Sequence, residues 1–194
     1  DLVRSRGLGD VYKRQGYYDD FNTAVGLDSA GRTQLHHKGK LVIGVENTPT
    51  VIFDLMQFLV IDLGGVVGQI GMGQHGTAFA HAGMRMGPAI CYEGLYGDFY
   101  GDFVRRGAQF MAIISNDGWW GDTPGCKHLF TISRLRAIEH RRAIARSANT
   151  GMSGFISARG DIGETLGWEK RGVISAAVPL NSELTFYTRY GDYL

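Results

Sequence analysis

Residues 84–93 read MRMGPAICYE and residues 110–118 read FMAIISNDG, with Arg105-Arg106-Gly107 between them. Each stretch contains a short apolar run, the first ending at Ile90 and the second covering residues 110–114. A glycine directly after the basic residues of the intervening segment is a usual helix stop. The order strand, helix, strand predicts parallel neighbours in one sheet, and therefore an α/β fold.

The length and composition of the chain favour one domain. The sequence has 194 residues, is 44% hydrophobic and contains 29 glycines. This length allows one sizeable core, whereas two complete domains would be a tight fit. A glycine content about twice the usual share favours short strands joined by tight turns over a long helical bundle.

The first fifteen residues, Asp1 to Gln15, resemble foreign sequence. Residues 10–15 read DVYKRQ, which resembles the in-frame translation of a transposon end used in sequencing libraries, and we set residues 1–15 aside as an artefact. Residues 16–194 are then expected to form one partial domain. Without the four basic and two acidic residues of the first stretch, the formal charge changes from +1 to −1. Neither value suggests a nucleic-acid partner.

Other segments flank the two central strands. A turn signal at residues 28–31 separates Phe21 to Leu27 from Thr33 to His37, which predicts a hairpin with Lys38 at its end. Pro49 to Leu59 is predicted as a short helix, of which Val51 to Leu59 either packs in the core or forms an apolar arm beside the active site that meets the bilayer or the acyl chains. No stretch reaches the roughly 20 apolar residues of a membrane-spanning helix. Further along we expect a helix over about 128–145 and strands over about 144–148, 154–157 and 173–178.

Cys91 is the first candidate for chemistry. It directly follows the apolar run that ends at Ile90, so its thiol is expected at the carboxyl end of a strand. Open α/β sheets place their ligands at that edge. The alternative is a buried core cysteine, because free cysteine is among the most buried residue types.

Lys38 is the second candidate, at the end of another predicted strand. A free thiol with a pKa near 8.5 is only a few per cent thiolate at neutral pH. An ammonium about 4 Å away, at an effective dielectric near 20, contributes roughly 4 kcal/mol, enough to lower that pKa by up to about three units. The alternative is a solvated surface lysine.

Other polar clusters predict structure rather than chemistry. Cys126-Lys127-His128 has no second Cys/His pair at ligand spacing, so we expect no metal site, and a domain of this size does not need a Cys91–Cys126 disulfide. Glu139 and Arg142 lie three residues apart on the predicted helix and are expected to form a structural ion pair.

The order of these motifs resembles the nitrilase superfamily and, within it, the apolipoprotein N-acyltransferase family. The resemblance covers nearly everything from Tyr18 to Leu194, and it implies an α-β-β-α sandwich. It rests on Lys38 with Glu46, on Cys91-Tyr92-Glu93, on NDGWWGD over 116–122, on LRAIE over 135–139, on RSANTG over 146–151, and on TFY and YGD near the end.

The resemblance also implies roles for particular residues. Cys91 matches the family's nucleophile and Lys38 its catalytic lysine, while Glu46, Tyr92 and Glu93 match supporting residues. Asp117 and Trp119 are candidate substrate-pocket residues in a loop after a strand. The family's general-base glutamate lies upstream of Phe21, in the stretch set aside above, so we expect the chain as given to be inactive.

The expected activity is acyl transfer through a cysteine thioester, without a cofactor. The resemblance implies a phospholipid acyl donor, an apolipoprotein acceptor, and a bacterial inner membrane enzyme whose catalytic domain lies on the periplasmic side. The membrane contact would come through transmembrane segments outside this sequence. One alternative is a soluble carbon–nitrogen hydrolase, in which water takes the second step. Another is a non-catalytic nitrilase-like module, against which the presence of both Cys91 and Lys38 argues.

Overall fold

The computed structural model describes residues 20–42, 46, 70–118 and 121–192. The predicted helix over Pro49 to Leu59 and the stretch 1–15 lie outside the described residues. The strands are β1 (Asp20–Phe21), β2 (Thr23–Leu27), β3 (Thr33–His37), β4 (Ile70–Gly71), β5 (Phe79–His81), β6 (Met84–Ile90), β7 (Phe110–Ser115), β8 (Ile144–Ala148), β9 (Ser153–Ile156) and β10 (Ile162–Leu166). The helices are a 3₁₀ helix (Cys91–Leu95), α1 (Gly97–Arg105), α2 (Pro124–His140) and α3 (Phe186–Tyr190).

A six-stranded sheet in the order β10-β9-β8-β7-β6-β5 organises the domain. Its three central strands, β6, β7 and β8, run parallel, with Ile90 opposite Ile114 and Ser115 opposite Ala148. Antiparallel pairs close both edges of the sheet. The predicted strand-helix-strand unit is therefore confirmed, and the carboxyl ends of the parallel strands meet at one edge.

The two faces of this sheet carry separate cores. Ile113 packs into a cluster with side chains of α1 and α2, including Phe103 and Phe130. Its neighbour Ile114 packs instead with a cluster that contains Ala24 of β2. Since successive strand residues point to opposite faces, the helices cover one face and the β2–β3 hairpin the other. Helices, sheet and hairpin are thus successive layers, which confirms the α/β prediction.

The hairpin forms as the sequence predicts. Strands β2 and β3 pair from Thr23 opposite His37 to Leu27 opposite Thr33. In the turn, the Asp28 carboxylate accepts hydrogen bonds from two backbone amides, those of Ala30 and Arg32, at 2.9 Å each. This Asx-type turn is a known reason for aspartate at such positions. The register leaves Lys38 directly after β3.

Two predictions in the second half of the chain are wrong. Helix α2 begins at Pro124 and ends at His140, because Pro124 suits a helix start and Arg141 adopts a left-handed φ of 50° that stops the helix. Residues 173–178 form no strand, whereas β10 lies at Ile162–Leu166, where four of five residues are exposed. An exposed edge strand has no apolar alternation to reveal it.

The predicted ion pair between Glu139 and Arg142 is also wrong. Because α2 ends at His140, Arg142 does not share a helix face with Glu139, which pairs with Arg136 at 2.9 Å instead. The Arg142 guanidinium is buried and donates to backbone carbonyls, including those of Ala108 at 2.7 Å and Glu183 at 2.9 Å. It ties the end of α2 to neighbouring loops.

His140 makes folding sensitive to pH. The ring is fully buried between the Thr188 hydroxyl at 2.8 Å and the Gly97 carbonyl at 3.1 Å. Burial, followed by repulsion from the Arg136 guanidinium, lowers the pKa of His140 to about 4 from an ordinary 6.5. The unfolded chain therefore binds a proton that the folded chain excludes between these values, so stability falls as the pH drops from about 6.5 towards 4.

We expect His140→Gln to reduce the dependence of the free energy of unfolding on pH between about 6.5 and 4. Urea unfolding from pH 7 to pH 4.5 would measure it, with His128→Gln, an exposed histidine on α2, as the matched control. Equal losses of stability on acidification in the His140→Gln and His128→Gln variants would contradict the assignment.

Within the described residues, no helix is both long and apolar enough to cross a membrane.

Candidate active site at the carboxyl ends of the parallel strands

The chain changes direction sharply at Cys91, between β6 and the 3₁₀ helix. The strand ends at Ile90, and Cys91 adopts a left-handed φ of 46°. For a residue with a side chain this conformation costs about 1–2 kcal/mol, and it persists only where the surroundings enforce it. The thiol is free and half-buried at the carboxyl end of the sheet. Cys91 is therefore not the fully buried core cysteine of the alternative interpretation.

Lys38 is buried rather than solvated, with 1% of its surface exposed. Its ammonium donates to both carboxylate oxygens of Glu46, at 2.8 and 2.7 Å. Glu46 is itself held by the Val42 amide at 2.8 Å and the Asn22 side chain at 3.1 Å. Charge-assisted bonds of this kind fix both groups geometrically. The glutamate eight residues after the lysine is thus its direct partner.

Glu93 links the ends of the lysine strand and the cysteine strand. Its side chain is completely buried. One oxygen accepts from the backbone amide of Gly39, the residue after Lys38, at 2.7 Å. The other accepts from the amide of Ile90, the residue before Cys91, at 2.6 Å. A single carboxylate therefore holds the chain neighbours of both candidate catalytic residues.

Gly39 allows this close approach. A Cβ atom at position 39 would lie 2.7 Å from the Gly73 carbonyl oxygen and would collide with the Phe99 ring. Any larger residue would push the chain after Lys38 away from Glu93. The contacts of Glu93 bring together the two strand ends that carry Lys38 and Cys91.

Tyr92 and Tyr96 border the site on the side of the 3₁₀ helix. Their rings meet edge to face, with centroids 5.6 Å apart. Burial, followed by the neighbouring Tyr92, raises the pKa of Tyr96. The Lys40 ammonium lies 5.1 Å from the centre of the Tyr96 ring and 5.4 Å from that of Phe99. Lys40, Tyr96 and Phe99 line part of an open, polar cavity of about 480 Å³.

Asp117 has a different environment from the one expected of a substrate contact. It is fully buried, and its carboxylate accepts from the Arg146 guanidinium at 2.7 Å and from the Ser115 hydroxyl. The Cys126 thiol lies 3.9 Å from the same carboxylate. This placement favours a structural role for Asp117 over contact with substrate. Trp119 lies outside the described residues.

We expect Asp117→Asn to lower the free energy of unfolding by about 3–5 kcal/mol, because it leaves the buried Arg146 without a counter-charge. Urea unfolding measures this, and Asp122→Asn, an exposed aspartate of the same loop, is the matched control. Unchanged stability with lost activity would instead favour the substrate-pocket role.

Sequence reasoning missed His36, whose Nε2 lies 3.0 Å from Glu93. The available signal is the period of two along β3, which places His36 on the same face as Lys38. Within the described part of the chain, no group of three or more His, Cys, Asp and Glu side chains is arranged to hold a metal ion.

A family model described as carbon-nitrogen hydrolase matches residues 7–184. The chain belongs to the carbon-nitrogen hydrolase family. A curated relative named apolipoprotein N-acyltransferase, from Chlorobaculum tepidum, is 36% identical over 181 residues, or 90% of this chain and 34% of the relative. Another of that name, from Rhizobium meliloti, is 42% identical over 97 residues, half of this chain and 18% of the relative. The chain thus spans about a third or less of the length of these relatives.

Solved structures confirm the nitrilase-like fold of this carbon-nitrogen hydrolase domain. Saccharomyces cerevisiae Nit3, a member of branch 10 of the nitrilase superfamily, aligns with a TM-score of 0.56 over 78% of this chain and 51% of its own, at 18% identity. The NitFhit protein of C. elegans aligns at 0.57 over 77% and 36%, at 20% identity. An amidase from Nesterenkonia sp. AN1 aligns at 0.52 over 76% and 53%, at 17% identity.

Proposed function

We propose that this carbon-nitrogen hydrolase domain is the acyl-transferring part of an apolipoprotein N-acyltransferase. It would move an acyl chain from a phospholipid to the N-terminal cysteine of an apolipoprotein through a thioester on Cys91. The observation that carries the proposal is the 36% identity to a relative of that name over 90% of the chain. The free Cys91 thiol and the ion pair between the buried Lys38 ammonium and Glu46 supply suitable chemistry for it.

The first half-reaction forms the thioester. The Cys91 sulfur attacks the ester carbonyl carbon of the phospholipid while its proton passes to a general base, which the family resemblance places at a glutamate upstream of Phe21. The carbonyl oxygen becomes an oxyanion, which the Lys38 ammonium stabilises by charge. Collapse breaks the carbon–oxygen bond, and the leaving alkoxide takes the proton from the base and departs as a lysophospholipid.

The second half-reaction releases the product. The α-amine of the acceptor cysteine attacks the thioester carbon, the carbon–sulfur bond breaks, and the amine proton returns to the thiol through the base. Lys38 again faces the oxyanion. In both steps Glu46 fixes the ammonium, and Glu93 and Tyr92 support the segment that carries the nucleophile.

The substrates of this proposal are lipids and lipid-modified proteins. They require the catalytic domain to work at a bilayer, and we place it on the periplasmic side of a bacterial inner membrane. The polar cavity beside Tyr96 is open to solvent, and Tyr96 directly follows the 3₁₀ helix that begins at Cys91.

The second candidate is a carbon–nitrogen hydrolase in which water attacks the thioester. An aligned solved structure is named an amidase, which is the reason to test this second candidate. The thiol and the lysine are equally suited to both reactions. The acceptor in the second step is therefore the point to test.

The test uses the whole protein with phospholipid carrying a labelled acyl chain, with and without a lipopeptide whose N-terminal cysteine bears a diacylglyceryl group. We expect labelled lipopeptide when the acceptor is present, and a stable acyl-enzyme when it is absent. Release of free fatty acid at the same rate in both cases, or faster cleavage of simple amides, would favour the hydrolase and overturn the acyltransferase.

A further inference from the structure

We propose that His36 is a positioning residue for this reaction, because it orients the Glu93 carboxylate that joins the Lys38 and Cys91 strand ends. The proposal deepens the proposed function and rests on its assignment of Lys38 and Cys91. His36 does not belong to the catalytic set that the family resemblance implies, which consists of Cys91, Lys38 and a general-base glutamate.

The geometry of His36 indicates that it is a hydrogen-bond partner of Glu93. Its ring is fully buried, with Nε2 at 3.0 and 3.1 Å from the two oxygens of Glu93. The ring packs edge to face on Phe103, with centroids 4.8 Å apart. Phe103 is itself buried in the main core, so the ring cannot turn freely.

The contact with Glu93 defines the role of His36 Nε2. His36 Nδ1 is buried and has no hydrogen-bond partner among the described residues. A carboxylate only accepts hydrogen bonds, so the proton of this contact lies on Nε2, which donates to Glu93. His36 therefore acts as a fixed donor.

The Glu93 carboxylate requires His36 as its third hydrogen-bond donor. Its other described partners are the two backbone amides of Gly39 and Ile90, which belong to different strand ends. A completely buried carboxylate is stabilised only when its lone pairs are satisfied. If the donor of His36 is lost, the carboxylate can rotate or draw in water, and the two strand ends are no longer held in one register. Lys38 then moves relative to the thiol that it activates.

The alternative is that His36 merely fills a core position. A filler affects stability alone, whereas a positioning residue also affects the Cys91 thiol in molecules that remain folded. The rate at which iodoacetamide alkylates Cys91, followed against pH, reports the thiolate fraction. It needs no lipid substrate, so it is independent of the acyl-transfer reaction.

The experiment compares three variants in the whole protein. His36→Leu removes the donor at similar volume, and His36→Gln retains an amide donor of similar reach. His37→Leu is the matched control, since His37 is the next residue and bonds the Thr23 hydroxyl at 2.8 Å, away from Glu93.

We expect His36→Leu to lower kcat about 10- to 100-fold with KM changed by less than about 3-fold, since misplacement by about 1 Å costs on that order. Alkylation of Cys91 should also require a higher pH, because the thiol loses its alignment with the Lys38 ammonium. His36→Gln should restore most of both quantities, and His37→Leu should match the wild type in both.

A folded His36→Leu protein with the wild-type alkylation midpoint and kcat would overturn the proposal, as would equal defects in His36→Leu and His36→Gln. If His36→Leu does not fold, His36→Asn, whose amide is too short to reach Glu93, carries the same comparison. If the wild type transfers no acyl chain but the alkylation midpoints shift as expected, the proposed function fails while the positioning role stands.

Discussion

Cys91→Ser in the whole protein is expected to abolish formation of the acyl-enzyme, with a loss of turnover of about 10⁴-fold or more. A serine hydroxyl is far harder to ionise than a thiol, and one lysine cannot make up the difference. The left-handed backbone at position 91 fixes the position of the side chain. The serine oxygen would therefore occupy the position of the cysteine sulfur without its reactivity. The Cys91→Ser variant therefore tests the reactivity of the sulfur while the position of the side chain stays the same.

Mass spectrometry after incubation with phospholipid gives the direct measurement. We expect an acyl adduct on the peptide that contains Cys91 in the wild type and none in Cys91→Ser. Cys126→Ser is the matched control, because Cys126 is also a free cysteine but is buried against Asp117. Burial raises the pKa of the Cys126 thiol, which makes it a poor nucleophile. An adduct on Cys126, or on any other residue, would contradict the mechanism.

The central part of the fold could be predicted because its signals are local. The apolar runs before Cys91 and over Phe110 to Ile114 each form one strand of the parallel pair, and the helix stop before Gly107 is close to the end of α1 at Arg105. The turn at Asp28 likewise fixes the hairpin, because its carboxylate bonds the backbone of the turn itself.

What failed to follow from sequence either has no local pattern of residue types or depends on partners remote in sequence. The end of α2 is set by the left-handed Arg141, and Arg142 finds carbonyl acceptors that are remote in sequence. The exposed edge strand β10 has no apolar pattern, since its pairing with β9 rests on backbone hydrogen bonds. None of these features leaves a trace in residue type or periodicity.

The candidate site shows the same division. Lys38 and Glu46 lie eight residues apart and could be paired from the family motif, whereas nothing near Glu93 in sequence indicates that its partner is His36, 57 residues earlier. Asp117 illustrates the opposite case. Its loop position suggested contact with substrate, but Arg146, 29 residues away, occupies its carboxylate.

Lys38→Met is expected to lower acyl transfer by about 10²–10³-fold, because it removes the charge that stabilises the oxyanion. It should also raise the pH midpoint of Cys91 alkylation, because the ammonium no longer favours the thiolate. Lys127→Met, an exposed lysine on α2, is the matched control and should alter neither quantity.

The Lys38→Met variant alone confounds chemistry with stability, and the structure offers a way to separate them. Methionine leaves the Glu46 carboxylate, 16% exposed, with the Val42 amide and the Asn22 side chain but without its counter-charge. The expected loss is about 1–3 kcal/mol in the free energy of unfolding. Adding Glu46→Gln removes the unpaired charge and should recover most of that stability in urea unfolding, while acyl transfer stays as low as in Lys38→Met. Recovery of acyl transfer together with stability would show that Lys38 supports the fold rather than the reaction.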